Sequence, residues 1–91
     1  MRSFRINCSK IKCEANFHIL FESLGITPDY YGKNLNALWD VLTTDLVEPT
    51  TFIFENHSEF LQMNEVDFDK ILNTFKEAES ERQNEIIIIL S

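Results

Sequence analysis

The C-terminal run "IIIIL", Ile86 to Leu90, constrains the fold of this chain more than any other segment. Isoleucine is β-branched and packs well on a pleated surface, so consecutive isoleucines favour a strand over a helix. Because the run does not alternate with polar residues, we predict a strand that is buried on both faces. It is also too short to cross a bilayer, which takes about 20 residues in a helix. We therefore expect this strand to lie in the middle of a parallel sheet.

The rest of the chain switches between strand-like and helix-like patterns. In chain order the predicted elements are a strand over 3–8, helices over 14–24 and 34–45, a strand over 50–55, a short helix over 57–63, a helix over 65–82 and the C-terminal strand. Gly25 is expected to end the first helix, and Asn34 and Asn64 are expected to cap later ones. Strands separated by helices pair in parallel through right-handed crossovers. We predict an α/β fold, a three-stranded parallel sheet flanked by about four helices in the order β-α-α-β-α-α-β, as a single domain over 1–91.

The charge of the chain is strongly negative and unevenly distributed. The formal net charge is −7, yet residues 1–12 carry four basic side chains and no acid, which leaves −11 on the remainder. Phosphates would repel such a surface, so nucleic-acid binding is not expected. A basic protein partner would be attracted, and its encounter would be accelerated. The alternative is that acidity serves solubility alone.

The cysteines and the N-terminus indicate a cytoplasmic protein. Cys8 and Cys13 are the only cysteines, too few for a disulfide scaffold of this size, so reduced thiols are expected. The N-terminal segment alternates and lacks the apolar stretch of a signal peptide. Together with His18 the two cysteines match no standard zinc spacing. We expect no metal, no cofactor and no membrane association.

The sequence offers no convincing catalytic site. It contains no glycine-rich phosphate loop, and its carboxylates are scattered along predicted helix surfaces. His18 follows Phe17 directly inside a helix, so we expect it at the surface or at the boundary of the core. No base and nucleophile can be paired, and the chain is therefore not expected to be an enzyme.

One predicted helix combines a core stripe with a polar face. In the helix over 34–45 the core stripe is Leu35, Leu38 and Leu42, and Trp39 lies at the boundary between the two faces. The opposite face carries Asn36, Asp40 and Thr43 or Thr44. Two tyrosines precede the helix directly. Aromatic anchors around a charge are typical of a protein-binding hot spot, although the aromatic side chains could equally fill the core.

These same residues closely resemble a known family signature. "YYGKNLNALWDVL" resembles the Tyr-Tyr-Gly-x-Asn-Leu-Asp-Ala-Leu-Trp-Asp run of the barstar family. The agreeing residues are Tyr30, Tyr31, Gly32, Asn34, Leu35, Ala37, Leu38, Trp39, Asp40 and Leu42. The similarity extends over the whole chain, and "FKEAESERQNEIIIIL", Phe75 to Leu90, resembles the family's last helix and strand. The resemblance implies three parallel strands with helices, and an intracellular inhibitor that blocks the active site of a secreted ribonuclease.

The resemblance also implies which residues bind the partner. Asp40 matches the acid that enters the ribonuclease's phosphate-binding site, and Glu77 matches an acid that adds a second charged contact. The residues matching positions around Asp40 are Tyr30, Asn34, Trp39, Thr43 and Thr44. The residues that look structural are Tyr31, Leu35, Leu38 and Leu42. The implied partner is a basic ribonuclease or the ribonuclease domain of a toxin, in a 1:1 complex.

Two departures from the family pattern fall within this expected interface. Asn36 stands where the family run has its first aspartate, which removes one negative charge. Asp45 stands where the best-known member has a tryptophan, so charge has moved along the surface by about two and a half helical turns. Asn36 and Asp45 are therefore included among the expected partner-binding residues. They indicate a different cognate enzyme, and they leave open the alternative of a barstar-fold protein that binds a non-ribonuclease partner.

Overall fold

The chain forms one three-stranded sheet with helices packed against it. A computed structural model describes the backbone of residues 2–46 and 48–91, and the side chains of these residues except 61–65. The strands are β1 (Arg2–Asn7), β2 (Thr50–Glu55) and β3 (Ile86–Leu90), and the α-helices are α1 (Glu14–Ser23), α2 (Leu35–Asp40) and α3 (His57–Glu81). A 3₁₀ turn at Cys8–Lys10 follows β1, and a π-helical turn at Val41–Asp45 follows α2. The predicted α/β fold class with a barstar-like arrangement is confirmed.

The strand order is β1-β2-β3, and both neighbouring pairs are parallel. The prediction that the C-terminal strand lies in the middle is therefore wrong, because β2 occupies that position and β3 lies at an edge. Ile86 is buried against the helices, whereas Ile87 and Ile89 point to the other face and are 37% and 44% exposed. In this chain, the apolar run Ile86–Leu90 therefore forms a strand with only one buried face. Glu79 Oε2 accepts a hydrogen bond from the Ile88 N–H at 3.1 Å, which partly protects this edge.

Two helical predictions need correction. The segments predicted as separate helices over 57–63 and 65–82 form the single helix α3, and Asn64 lies inside it rather than at its start. No Gly or Pro interrupts this segment, so nothing in the chain forces a break. The predicted helix over 34–45 is α-helical only to Asp40, and its last turn is π-helical. Gly25 does follow the first helix in a left-handed conformation, with φ of +78°.

The core lies between the sheet and the helices on one of its faces, and Phe75 of α3 is at its centre. The Phe75 ring lies edge-on to Phe17 and Phe21 of α1 and to Phe52 and Phe54 of β2, with centroid distances of 5.0 to 6.1 Å. Edge-to-face aromatic pairs contribute about 0.5–1.5 kcal/mol each beyond their buried area. This cluster fixes α1 and α3 on the sheet, and α1 in turn supports the connection to α2.

Candidate functional site

The connection between α1 and α2 is anchored by Tyr31. The Tyr31 N–H donates to the Pro28 carbonyl at 3.1 Å, which closes a turn. The Tyr31 side chain is only 6% exposed, and its ring packs against Phe21 with centroids 5.9 Å apart. Its hydroxyl lies 2.6 Å from His18 Nδ1. The loop is therefore attached to α1 by a buried aromatic ring and a buried hydrogen bond.

His18 is fully buried, and the prediction of a surface or boundary position is wrong. It is 1% exposed, and both ring nitrogens are hydrogen-bonded, Nδ1 to Tyr31 and Nε2 to Glu14 Oε2 at 3.0 Å. Burial, together with the nearby carboxylates of Glu14 and Glu22, raises the pKa of Tyr31 far above its ordinary value. The neutral phenol can donate to Nδ1, which leaves the Nε2–H to donate to Glu14. These two partners are what allow an imidazole to occupy the core.

Tyr30 and Tyr31 are adjacent in sequence, but Tyr30 is exposed and Tyr31 is buried. Tyr30 is 84% exposed, so one tyrosine of the pair supports the core and the other faces solvent. The loop then approaches the start of α2 closely at Gly32. A Cβ at Gly32 would lie 3.2 Å from Asn34 Nδ2, so that amide would have to shift by a few tenths of an ångström, and 3.5 Å from Ala37 Cβ, an ordinary contact. The side chain most affected by a substitution at Gly32 would therefore be Asn34, the N-cap of α2.

α2 begins at a side-chain cap and exposes a polar face. Asn34 Oδ1 accepts from the Ala37 N–H at 2.7 Å, which confirms the predicted N-cap. Leu38 is buried in the core, Trp39 is half-buried against it, and Asp40 is exposed. Trp39 therefore lies at the boundary of the two faces, as its spacing predicts. The helix holds the Asp40 carboxylate on a rigid element beside an aromatic ring.

The π-helical turn changes where Asp45 lies. The Leu46 N–H donates to the Val41 carbonyl, five residues earlier, at 3.0 Å. In a regular α-helix, residues five positions apart point about 140° away from each other, whereas the wider π turn places them on one side. Asp40 and Asp45 accordingly line the same cavity. The charge that the family carries at position 36 is replaced here by a charge at position 45. Both positions line the same cavity, so the charge stays within the site.

This cavity, of about 590 Å³, lies between the 28–32 segment and the exposed face of α2 and the π turn. The predicted partner-binding residues that line it are Tyr30, Asn34, Asn36, Asp40, Thr44 and Asp45. Trp39, Thr43 and Glu77 are not among the lining residues; the Thr43 hydroxyl donates to the Trp39 carbonyl at 2.8 Å, and Glu77 is exposed on α3. The lining residues that were not among the predicted partner-binding residues are Pro28, Tyr31, Gly32, Ala37 and Val41.

The cavity carries two carboxylates that have no partner among the described residues. Neither the Asp40 nor the Asp45 carboxylate forms a hydrogen bond or an ion pair with another residue of the described chain. Within 2–46 and 48–91, no histidine, cysteine, serine or lysine lines the cavity, and Lys33 is instead paired with Glu22 at 3.6 Å. The site therefore offers two carboxylates, amide and hydroxyl groups and two tyrosine rings, a set that suits it to binding a cationic surface.

The two cysteines do not line this cavity. Cys8 and Cys13 are free thiols. Among the described residues, no three or more His, Cys, Asp or Glu side chains are grouped so that they could hold a metal ion. None of the described helices combines the length and the apolar character needed to cross a membrane.

Comparisons with known proteins identify the family of this chain. The family model described as "Barstar (barnase inhibitor)" matches residues 1–90. A protein of Bacillus subtilis (strain 168), named "Putative ribonuclease inhibitor YrdF", is 38% identical over 63 residues, which is 69% of this chain and 69% of that protein. Both matches point to a chain that is similar to protein inhibitors of ribonucleases.

Proposed function

Because the chain belongs to the barstar family, we propose that it is a stoichiometric inhibitor, an immunity protein, that protects its cell from a cytotoxic ribonuclease. It acts in the cytoplasm as a single barstar-like domain over residues 1–91, in a 1:1 complex. Its partner is a basic ribonuclease or the ribonuclease domain of a toxin. Inhibition proceeds by occlusion of the partner's active site, so the chain itself performs no catalysis.

The observation that carries this proposal is the Asp40 carboxylate at the acidic cavity, which has no hydrogen-bond or ion-pair partner among the described residues. A ribonuclease gathers cationic side chains to bind the phosphates of RNA. A carboxylate on a rigid helix can occupy the same subsite and accept short, charge-assisted hydrogen bonds from arginine or lysine. Since α2 is capped at Asn34 and packed through Leu38, the Asp40 backbone needs little ordering when the complex forms.

The neighbours of Asp40 supply the remaining contacts. Tyr30 offers a large exposed ring, and aromatic residues near the centre of an interface contribute much of its binding energy. The other proposed partner-binding residues are Asn34, Asn36, Trp39, Thr43, Thr44, Asp45 and Glu77. Those that line the cavity surround Asp40 directly, whereas Glu77 on α3 would contact a different part of the partner.

The charge of the chain supports a basic partner. With a net charge of −7, the inhibitor attracts a cationic ribonuclease over distances comparable to the Debye length. Such steering raises the association rate constant, and rapid capture suits a protein that must neutralise a toxin before RNA is cleaved.

A second candidate function is a barstar-fold protein with a non-ribonuclease partner. The observation that favours it is Asn36, which lines the cavity at a position where the family run carries an aspartate. The neutral amide removes one charge that a ribonuclease arginine would pair with. Asp45 on the π turn supplies a carboxylate to the same cavity, so total charge alone does not exclude a ribonuclease.

The proposal is tested by capture and titration. Immobilised wild-type chain and an Asp40→Ala variant would be exposed to lysate of the native cell, and proteins held only by wild type would be identified. We expect a small basic ribonuclease or a nuclease-tipped toxin whose RNA cleavage is abolished at one equivalent of inhibitor. A captured partner with no ribonuclease activity would instead support the second candidate function.

A further inference from the structure

The π-helical turn after α2 leaves one backbone carbonyl in need of a different partner. If α2 continued as an α-helix, the Leu46 N–H would donate to the Leu42 carbonyl, four residues earlier. It donates to the Val41 carbonyl instead. Single π turns are uncommon, and in this one the Leu42 oxygen loses the donor that an α-helix would give it.

The Arg82 side chain, which follows α3, is a donor to the Leu42 carbonyl. Its Nη1 donates to the Leu42 carbonyl at 3.0 Å, across 40 positions of sequence. Arg82 follows α3 directly, where its own N–H donates to the Ala78 carbonyl at 2.9 Å. Its Nε and Nη2 both donate to Glu85 Oε2, and its side chain is mostly buried. The guanidinium is therefore oriented on one side by Glu85 and presented to Leu42 on the other.

We propose that Arg82 is a positioning residue for the partner-binding site. By donating to the Leu42 carbonyl, it satisfies the oxygen that the Leu46 N–H does not reach in the π-helical form, and so stabilises residues 41–45 in that form. The π form in turn keeps Thr44 and Asp45 in the same cavity as Asp40. Without it, Asp45 would rotate toward an α-helical position about 140° away from Asp40.

The inference rests on the proposed function in one respect only. Arg82 holds the turn in the free chain, whether or not a partner binds. Its effect on binding depends on the proposed function, in which the cavity receives a ribonuclease. Arg82 itself lies outside the cavity and outside the predicted partner-binding residues. It acts through the Leu42 carbonyl and not by touching the partner.

The first test needs no partner. Scalar couplings across hydrogen bonds, measured by NMR on ¹⁵N,¹³C-labelled protein, identify the carbonyl that accepts from each amide. In the wild type we expect a coupling from the Leu46 nitrogen to the Val41 carbonyl carbon. Arg82→Met keeps the aliphatic length but removes the donor, so this coupling should disappear or move to Leu42. Retention of the Val41 coupling in Arg82→Met would overturn the inference.

Matched variants separate this effect from charge and from general destabilisation. Arg5→Met changes the net charge equally, but Arg5 is exposed on β1 and paired with Glu55, so the Leu46–Val41 coupling should persist. Arg82→Lys keeps one cationic donor and should restore the coupling at least in part. Should Arg82→Met fail to fold, Glu85→Gln, which only loosens the guanidinium, should weaken the same coupling; an unaltered coupling there would overturn the inference.

The second test is a double-mutant cycle with barnase as the probe. In the wild-type background, Asp45→Asn should weaken barnase binding by about tenfold. In the Arg82→Met background, Asp45 has already left the cavity, so Asp45→Asn should weaken binding by less than about twofold. Equal losses in the two backgrounds would overturn the link between Arg82 and the site. Failure of the wild-type chain to bind barnase would reflect the different cognate enzyme that Asn36 and Asp45 indicate, and the cycle would then use the ribonuclease captured from the native lysate. Failure to bind either ribonuclease would count against the proposed function alone, since the scalar couplings still decide whether Arg82 holds the turn.

Discussion

Replacing Tyr31 by phenylalanine tests how the binding loop is attached to the core. The substitution removes one hydroxyl and keeps the ring, so the contact with Phe21 is retained. What is lost is the hydrogen bond to His18 Nδ1, which spans 2.6 Å in the interior. His18 is 1% exposed, so water cannot readily replace the missing partner.

The expected cost follows from leaving a buried polar atom unsatisfied. Such a loss destabilises a protein by about 1–3 kcal/mol, and the complete burial of the imidazole places Tyr31→Phe near the middle of that range, at about 2 kcal/mol. In a domain of this size, 1 kcal/mol lowers the melting temperature by about 4–8 °C. We therefore expect Tyr31→Phe to lower Tm by about 10 °C.

The adjacent tyrosine provides the control. Tyr30→Phe removes the same atom from a side chain that is 84% exposed, and its effect should stay within about 0.5 kcal/mol. Urea unfolding followed by the fluorescence of Trp39 would give both free energies, and calorimetry would give both values of Tm. A loss below about 0.5 kcal/mol for Tyr31→Phe, or equal losses for the two variants, would refute the buried hydrogen bond as the anchor of the loop.

Three further predictions concern pH, salt and specificity. Burial raises the pKa of Cys8 from 9.0 to about 11, so the folded chain retains a proton that the unfolded chain releases. The free energy of unfolding should therefore fall by about 2 kcal/mol between pH 9 and 11. Urea unfolding of Cys8→Ala should show a flatter dependence on pH in that range. Raising salt should slow association with the ribonuclease more than it speeds dissociation, which stopped-flow mixing would measure; a salt-independent association rate would argue against steering. Asn36→Asp should tighten binding to barnase if the lost charge has changed specificity, as titration calorimetry would show, whereas an unaltered affinity would make the substitution incidental.

Local signals predicted most of the elements correctly because the physics of those elements is local. Gly25 ends α1 since a residue without Cβ readily adopts positive φ, and Asn34 caps α2 since its amide oxygen reaches the Ala37 N–H. β2 has the predicted bounds because its β-branched and aromatic residues lie between turn signals.

The predictions for β3 and His18 are wrong for a different reason: both depend on contacts with residues distant in sequence. An apolar run reads alike whether a strand is central or at an edge, so the position of β3 could not be obtained from Ile86–Leu90 alone. His18 was placed near the surface because nothing in the α1 segment indicates that Tyr31 would satisfy its ring nitrogen. Residue spacing predicts which face of a helix is apolar. It does not predict the hydrogen-bond partners that allow a polar side chain to be buried.

The site shows the same division. The family motif located the acidic face and the two tyrosines, and six of the predicted residues do line one cavity. The π turn and Arg82 were not predicted, because their interaction joins Leu42 to a residue 40 positions later. Helical periodicity assumes a constant number of residues per turn, so it does not by itself bring Asp45 to the side of Asp40; Asp45 is among the expected binding residues because of the family resemblance.

The most direct test of the proposed inhibitory function is the affinity of Asp40→Ala for the captured ribonuclease, measured by inhibition of RNA cleavage. Asp69→Ala is the matched control, because it removes the same charge from an exposed position on α3 that does not line the cavity. If Asp40 occupies the phosphate-binding site, its replacement should weaken the complex by at least about 2 kcal/mol, or about thirtyfold, while Asp69→Ala stays close to wild type. Equal, small losses for the two variants would contradict the proposal that this face of α2 blocks the enzyme.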